Sequence, residues 1–256
     1  MKKMWPGRIW TTIGVSIIIL FVVSLAASAH YVNHLSTGVS STGSEGTTGS
    51  SSGGLSDAAA NLSTPSAFTE TGEDSIFGGF SLVTNQTAPG GEGADGAVFM
   101  GAGFGKPGLS VELTLSASDV SEIDDYILSY RFNFIKESSS FPALALGIEG
   151  LKEIPGQLEY SPYFVVSKTF PESQVPFIAS LGWGMGRFGE NLFGAVAVVI
   201  NRQCNLIVEY DGLGGNTGVS YAFKGEPPVV LTLGLQDVFA SEQESTFALA
   251  GGIRFH

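Results

Sequence analysis

Apolar and polar residues alternate with period two from about residue 75 to the C-terminus. The alternation is clear over residues 109–115 and 126–134, where every second position is apolar. Because successive side chains of a strand point to opposite faces, such segments predict strands with one apolar face. About twelve of them follow one another, separated by Gly, Pro, Asn, Asp and Ser, and helical periodicity is absent. The pattern predicts an all-β domain, and an even strand number is typical of single-chain bacterial barrels.

The last ten residues carry the same alternation in its most informative form. One face holds Phe247, Leu249, Ile253 and Phe255, and the other holds Ala248, Ala250, Gly252 and Arg254. An apolar face that ends in an aromatic residue at the C-terminus is typical of the closing strand of an outer-membrane barrel. Taken alone, this strand leaves a surface strand of a soluble sandwich as an open alternative.

The connections between the segments alternate in length, which distinguishes a barrel from a sandwich. Short connections are predicted at residues 105–108, 136–140, 171–175, 201–203 and 224–227, and longer ones at 85–94, 118–124, 150–159, 185–191 and 237–245. Residues 212–216 depart from this order. Transmembrane barrels have short periplasmic turns and longer outer loops. We therefore predict an antiparallel up-and-down transmembrane β-barrel over residues 75–256, of about twelve strands with ten as the alternative.

The N-terminal part of the chain has a different composition. Residues 1–29 combine a basic start, an apolar run and the small-residue site Ala27-Ser28-Ala29, as a signal peptide cleaved after Ala29 does. An uncleaved membrane anchor is the alternative. Residues 30–74 are rich in Ser, Gly and Thr and predict a flexible linker. These features predict location in the outer membrane of a Gram-negative-type bacterium.

Charge and composition narrow the range of partners. The chain has 12 Lys and Arg against 24 Asp and Glu, a net charge of −12, and only 14% of its residues are charged. The acidic balance argues against nucleic acid as a partner. The expected partners are the lipid bilayer of the outer membrane and the machinery that assembles barrels there.

The sequence offers no set of residues suited to catalysis. His30, His34 and His256 are all terminal, so a hydrolase built on a strand serine would lack its base. Cys204 is the only cysteine, and no histidine or cysteine cluster has metal-ligand spacing. We therefore expect a protein that is not an enzyme and has no cofactor, catalytic or metal site.

Charged residues on the face opposite the apolar one are the candidate functional residues. They are Glu112, Arg131, Glu149, Glu209 and Arg254, which the alternation directs toward the lumen. An isolated buried charge is costly, so these groups are expected to pair. One interpretation is a structural ion network that holds the barrel together. The other is a polar track for a sugar chain or small solutes.

Four segments in order carry a resemblance to a known family. They are residues 143–148 (ALALGI), 163–168 (YFVVSK), 180–184 (SLGWG) and 208–212 (VEYDG). Their order and spacing resemble the barrel strands of the YjbH-like outer-membrane proteins of exopolysaccharide biosynthesis. The resemblance implies an accessory role in the synthesis or export of an exopolysaccharide, with polysaccharide as a further partner. A passive diffusion pore for small solutes is the alternative function.

Overall fold

Twelve strands form nearly all of the regular structure in the described part of the chain. The computed structural model describes residues 55–68, 75–85, 93–106, 109–118, 126–154, 157–238 and 245–255. The strands are β1 (Ser75–Asn85), β2 (Gly93–Lys106), β3 (Leu109–Ser118), β4 (Tyr126–Ile135), β5 (Ala143–Ile154), β6 (Gln157–Phe170), β7 (Phe177–Gly184), β8 (Asn191–Asn201), β9 (Cys204–Tyr210), β10 (Gly215–Phe223), β11 (Val229–Gln236) and β12 (Thr246–Phe255). A single 3₁₀ turn, Gly186–Phe188, lies between β7 and β8.

The strands close into one antiparallel barrel. Each strand pairs with its neighbours in sequence, and β1 pairs with β12 to complete the ring. In the closing pair, Ile76 lies opposite Phe255 and Leu82 opposite Leu249. Closure leaves no unpaired sheet edge, which a chain surrounded by lipid requires. The prediction of an up-and-down barrel with about twelve strands is confirmed, with the C-terminal segment as its last strand.

Alternation along each strand separates an apolar exterior from a more polar interior. On β9, Leu206, Val208 and Tyr210 are exposed, whereas Asn205 and Glu209 are buried. The same division holds on β12, where Phe247 and Phe255 are about half exposed. Exposed apolar side chains over a whole barrel surface would be unfavourable in water, but they match the hydrocarbon core of a bilayer.

Aromatic side chains mark both rims of this apolar surface. We call the rim that carries the connections at 107–108, 136–142, 171–176, 202–203 and 224–228 the short-turn end, and the opposite rim the long-loop end. Exposed aromatic residues at the long-loop end are Tyr126, Tyr160, Trp183, Tyr210 and Phe247, and those at the short-turn end are Phe104, Phe141, Phe170, Phe223 and Phe255. Two such girdles are typical of transmembrane barrels, because aromatic rings favour the interface between hydrocarbon and water.

One predicted connection is wrong. Residues 150–159 were expected to form a long outer loop, but β5 continues to Ile154 and β6 begins at Gln157, so only residues 155–156 join them. The pairing of β5 and β6 shifts register between Glu149 and Lys152, and Gly150 has a positive φ of 70°. This irregularity breaks the period-two alternation, which made the strand resemble a loop in the sequence.

Several parts of the N-terminal region lie outside the described residues. They include the predicted signal peptide, residues 1–29, and residues 30–54 and 69–74 of the predicted linker. Within the described residues no helix is long and apolar enough to cross a membrane.

Candidate functional site: the occupied lumen

The inner wall of the barrel is lined mainly by small and polar side chains. Buried residues that face inward include Ser110, Thr114, Ser129, Ser167, Ser180, Asn205, Asn216, Ser220 and Thr232. Buried polar groups need hydrogen-bond partners to offset the loss of water. Many of these groups find their partners in a second part of the same chain.

Residues 55–68, which we call the plug, lie inside the barrel. The backbone N–H of Asp57 donates to the carbonyl of Arg202 (N···O 2.6 Å) in the turn at the short-turn end. At the other end of the plug, the N–H of Ala67 donates to the hydroxyl of Ser167 on β6 (2.8 Å). Between these contacts the plug reaches deeper into the barrel and turns back. The Ser/Gly/Thr-rich range expected to be a linker therefore includes a stretch held by the barrel wall.

Glu209 on β9 binds residues 62–64, which we call the tip of the plug. Its carboxylate accepts hydrogen bonds from the backbone N–H groups of Leu62 (2.9 Å) and Ser63 (2.8 Å). It also accepts bonds from the hydroxyls of Ser63 (2.5 Å) and Thr64 (3.1 Å). The amide of Asn216 donates a further bond at 3.1 Å. Glu209 is only 3% exposed, so these donors replace the water that a buried carboxylate would otherwise lose.

Two arginines extend the polar contacts of the plug. Arg131 pairs with Glu112 across β4 and β3 (N···O 2.7 Å) and donates from its other amino group to the carbonyl of Ser66 (3.0 Å). Each of these groups is largely buried within the lumen. The arginine therefore links an ion pair of the wall to the backbone of the plug.

Arg187 forms the second such link from the connection between β7 and β8. Its guanidinium pairs with Glu149 (2.5 Å) and donates to the carbonyl of Ser63 (2.7 Å). The neighbouring Phe188 is fully buried, and the guanidinium lies over its ring at 4.1 Å from the centroid. This connection therefore folds inward and contacts the plug tip instead of extending into solvent.

Apolar contacts complete the fit of the plug to the wall. Ala58 and Ala59 pack against Ala222 and Val230 on β10 and β11. Leu62 lies against two adjacent inward glycines, with a side-chain carbon 2.8 Å from where a Cβ on Gly218 would be and 3.2 Å from that of Gly234. A larger residue at Gly218 would displace Leu62, so the wall is shaped to receive this side chain.

Inward aromatic residues lie flat on the wall over glycines of the neighbouring strand. These directly paired contacts are Phe77 over Gly101, Phe99 over Gly79, Tyr163 over Gly147 and Phe193 over Gly182. Each glycine leaves the space that the ring occupies, and the ring covers the exposed backbone. Tyr163 and Phe193 also belong to the apolar cluster that Ala60, Ala67 and Phe68 of the plug contact.

A small polar pocket remains between the plug and strands β3 to β6. It is lined by Pro65, Glu112, Thr114, Ser129, Tyr130, Arg131, Glu149 and Tyr163. Its lining therefore includes both acidic partners of the arginines that bind the plug. Among the described residues no group of three or more His, Cys, Asp and Glu residues could hold a metal ion. The pocket offers hydrogen bonds and charge to a ligand.

Four of the five lumen residues predicted from the sequence have side chains within the described part of the structure. Glu112, Arg131, Glu149 and Glu209 face inward, and the two glutamates Glu112 and Glu149 take separate arginine partners. Arg254 lies in β12, but its side chain is outside the described part of the chain. Sequence reasoning missed Arg187, which it placed in an outer loop. The available signal was the sequence Gly186-Arg187-Phe188-Gly189, in which two glycines with positive φ turn the chain inward.

The closed ring, the apolar exterior and the two aromatic girdles define a transmembrane β-barrel of the outer-membrane type. The family described as exopolysaccharide biosynthesis protein YbjH matches residues 109–232, from the start of β3 into β11. The resemblance to the YjbH family is therefore confirmed over these strands. No curated protein matches the chain.

Two solved structures are also similar to the chain. The COG4313 outer membrane channel from Pseudomonas putida F1 has 8% sequence identity and a TM-score of 0.41, with 73% of this chain and 97% of that chain covered. Neisserial surface protein A has 16% identity and a TM-score of 0.21, with 71% of this chain and 95% of that chain covered.

Proposed function

We propose that this protein is a non-enzymatic outer-membrane β-barrel that serves the synthesis or export of an exopolysaccharide as an accessory component. The observation that carries the proposal is the match to the exopolysaccharide biosynthesis family across β3 to β11. The apolar exterior supports a location in the outer membrane, reached after cleavage of the signal peptide behind Ala29. Polysaccharide, the bilayer and the barrel-assembly machinery are the partners in this proposal.

The occupied lumen favours this accessory role over free diffusion of small solutes. The plug spans part of the interior and is held by Glu209, Arg131 and Arg187. A passive pore conducts small solutes through an open, water-filled lumen, as porins do. The plug instead supports a barrel whose passage is blocked until these contacts break.

Deletion of the gene tests the proposed function. We expect loss of the secreted polysaccharide, measured as total carbohydrate in cell-free supernatant, and its return when the full-length protein is expressed from a plasmid. Unchanged polysaccharide in the deletion strain, with slower uptake of small solutes, would contradict the accessory role and favour the pore. Fractionation of the same cells tests the location, because a soluble periplasmic protein would contradict it.

A further inference from the structure

The Glu209 carboxylate binds the hydroxyl groups of two adjacent plug residues. One carboxylate oxygen accepts from the hydroxyl of Ser63 and the other from that of Thr64. The amide of Asn216 donates to both the Ser63 hydroxyl (3.3 Å) and the carboxylate. Carboxylate and amide groups aimed at neighbouring hydroxyls are the arrangement that would bind a sugar ring, whose hydroxyls also act as both donors and acceptors.

The plug also occupies other polar groups of the wall with hydroxyl and backbone groups. The hydroxyl of Ser56 donates to Asn205 (2.8 Å), and the carbonyls of Ser63 and Ser66 accept from the two arginines. When the plug leaves, these wall groups lose their partners, and a polyhydroxylated chain could replace them. Of these wall groups, Arg131 also lines the small pocket beside Pro65.

We propose that the plug is an internal competitor for a saccharide-binding site formed by Glu209, Asn205, Asn216, Arg131 and Arg187. Binding of a polysaccharide segment displaces the plug. This inference deepens the proposed function and rests on it, because it names the lumen as the place where the polysaccharide binds. The Ser and Thr hydroxyls of the plug stand where hydroxyls of the sugar would bind.

The charges of the site select a neutral saccharide. Every contact described for the Glu209 carboxylate is with an uncharged donor, whether backbone N–H, hydroxyl or amide. Arg131 and Arg187 are already paired with Glu112 and Glu149. A uronic acid would bring a second carboxylate against Glu209 without a free cation among the described partners, and like charges in an enclosed site repel. Neutral sugar hydroxyls can donate to Glu209 without this repulsion.

Weakening the plug while leaving the wall intact tests the competition. The double variant Ser63→Ala/Thr64→Ala removes two hydroxyls that donate to a charged group, and each such bond is worth about tenfold or more in an equilibrium constant. If the wild-type lumen is almost always plugged, the apparent affinity for ligand rises by the same factor as the unplugged fraction. Because two bonds are removed, we expect saccharide binding to be about a hundredfold tighter in the variant.

The experiment is calorimetric titration of the full-length protein in a zwitterionic detergent, since a sugar-headgroup detergent would itself compete. The probes are maltohexaose as the neutral saccharide and hexagalacturonate as the anionic one. Ser173→Ala is the matched control and should bind as the wild type does, because it removes a half-buried hydroxyl that bonds only within the turn between β6 and β7. Where the double variant fails to show the gel shift of a folded barrel on heating, Ser63→Ala alone carries the test.

Glu209→Gln separates a binding role from a structural one. It weakens the plug and the saccharide site together, so ion conductance in planar bilayers should rise while maltohexaose binding does not. Tighter maltohexaose binding by the double variant, with hexagalacturonate bound at least tenfold more weakly, supports the proposal. No maltohexaose binding by the folded double variant, or equal tightening in Glu209→Gln, overturns it. These results do not depend on the deletion strain, whose normal polysaccharide would overturn the accessory role alone.

Discussion

Replacing Glu209 with alanine should release the plug from the barrel wall. The carboxylate accepts bonds from two plug backbone N–H groups at 2.8–2.9 Å, from two plug hydroxyls and, at a longer 3.4 Å, from the N–H of Thr64. In the variant the buried N–H group of Ser63 and the partly buried N–H group of Leu62 lose their acceptor.

The expected size of the effect follows from the two backbone bonds alone. A hydrogen bond to a charged group contributes about 1.5–3 kcal/mol, so losing two weakens the seated state by at least about 3 kcal/mol. Because about 1.4 kcal/mol corresponds to a factor of ten, the unplugged population should rise about a hundredfold. Asn216 also loses its contact with the carboxylate, which adds to this effect.

Conductance in planar lipid bilayers measures the released state directly. The wild type should show rare openings, and Glu209→Ala should be open for a far larger fraction of the time. Glu172→Ala is the matched control, since it removes an exposed carboxylate in the turn between β6 and β7. If Glu209→Ala folds and inserts but has the open probability of the wild type, the assigned anchoring of the plug is wrong.

The remaining predictions concern the barrel wall and its rim. Phe255→Ala should lower the heat-modifiable folded fraction on gels, because Phe255 faces lipid at the end of the closing strand; full assembly would contradict this. Phe132→Arg should impair insertion, at a cost of about 2–4 kcal/mol if it lies near mid-depth, whereas Arg131→Gln, facing the lumen, should insert normally; the reverse order would contradict the facing. Burial and the nearby Asp211 raise the pKa of Asp237 above its usual value of 3.8, so in this pH range the folded state binds more protons than the unfolded state. The free energy of unfolding, measured with urea, should therefore fall as the pH rises through the raised pKa. Asp237→Asn should flatten this slope, and an unchanged slope would assign it to other groups.

The strands and their facing could be predicted from the sequence because alternation is a local property. In β4 each residue's face follows from its neighbours, so Arg131 is placed inward from sequence alone. The register shift beyond Glu149 shows the limit. A single extra residue interrupts the alternation, and a continuous strand then resembles a loop.

The plug could not be predicted because composition describes what a segment can bury by itself. A Ser- and Gly-rich segment has too little apolar surface to fold alone, yet here the wall supplies acceptors such as Glu209 and Ser167. The sequence does contain a mostly apolar run within this polar segment, Ala58-Ala59-Ala60-Asn61-Leu62. That this run packs inside the barrel depends on Gly218 and Gly234, which are distant in sequence but leave room for Leu62.

A disulfide between the plug and the wall tests the central claim most directly. The hydroxyls of Ser66 and Ser167 lie 3.5 Å apart, so cysteines at both positions should bridge with little movement. The variant Ser66→Cys/Ser167→Cys is made with Cys204→Ser, because Cys204 is the only native cysteine. Ser66→Cys/Thr246→Cys is the control, since Thr246 lies at the long-loop end of β12. After mild oxidation of the folded protein in membranes and denaturation without reductant, we predict that maleimide labelling finds both thiols blocked in the first variant and free in the control. Free thiols in both would contradict a plug seated in the lumen.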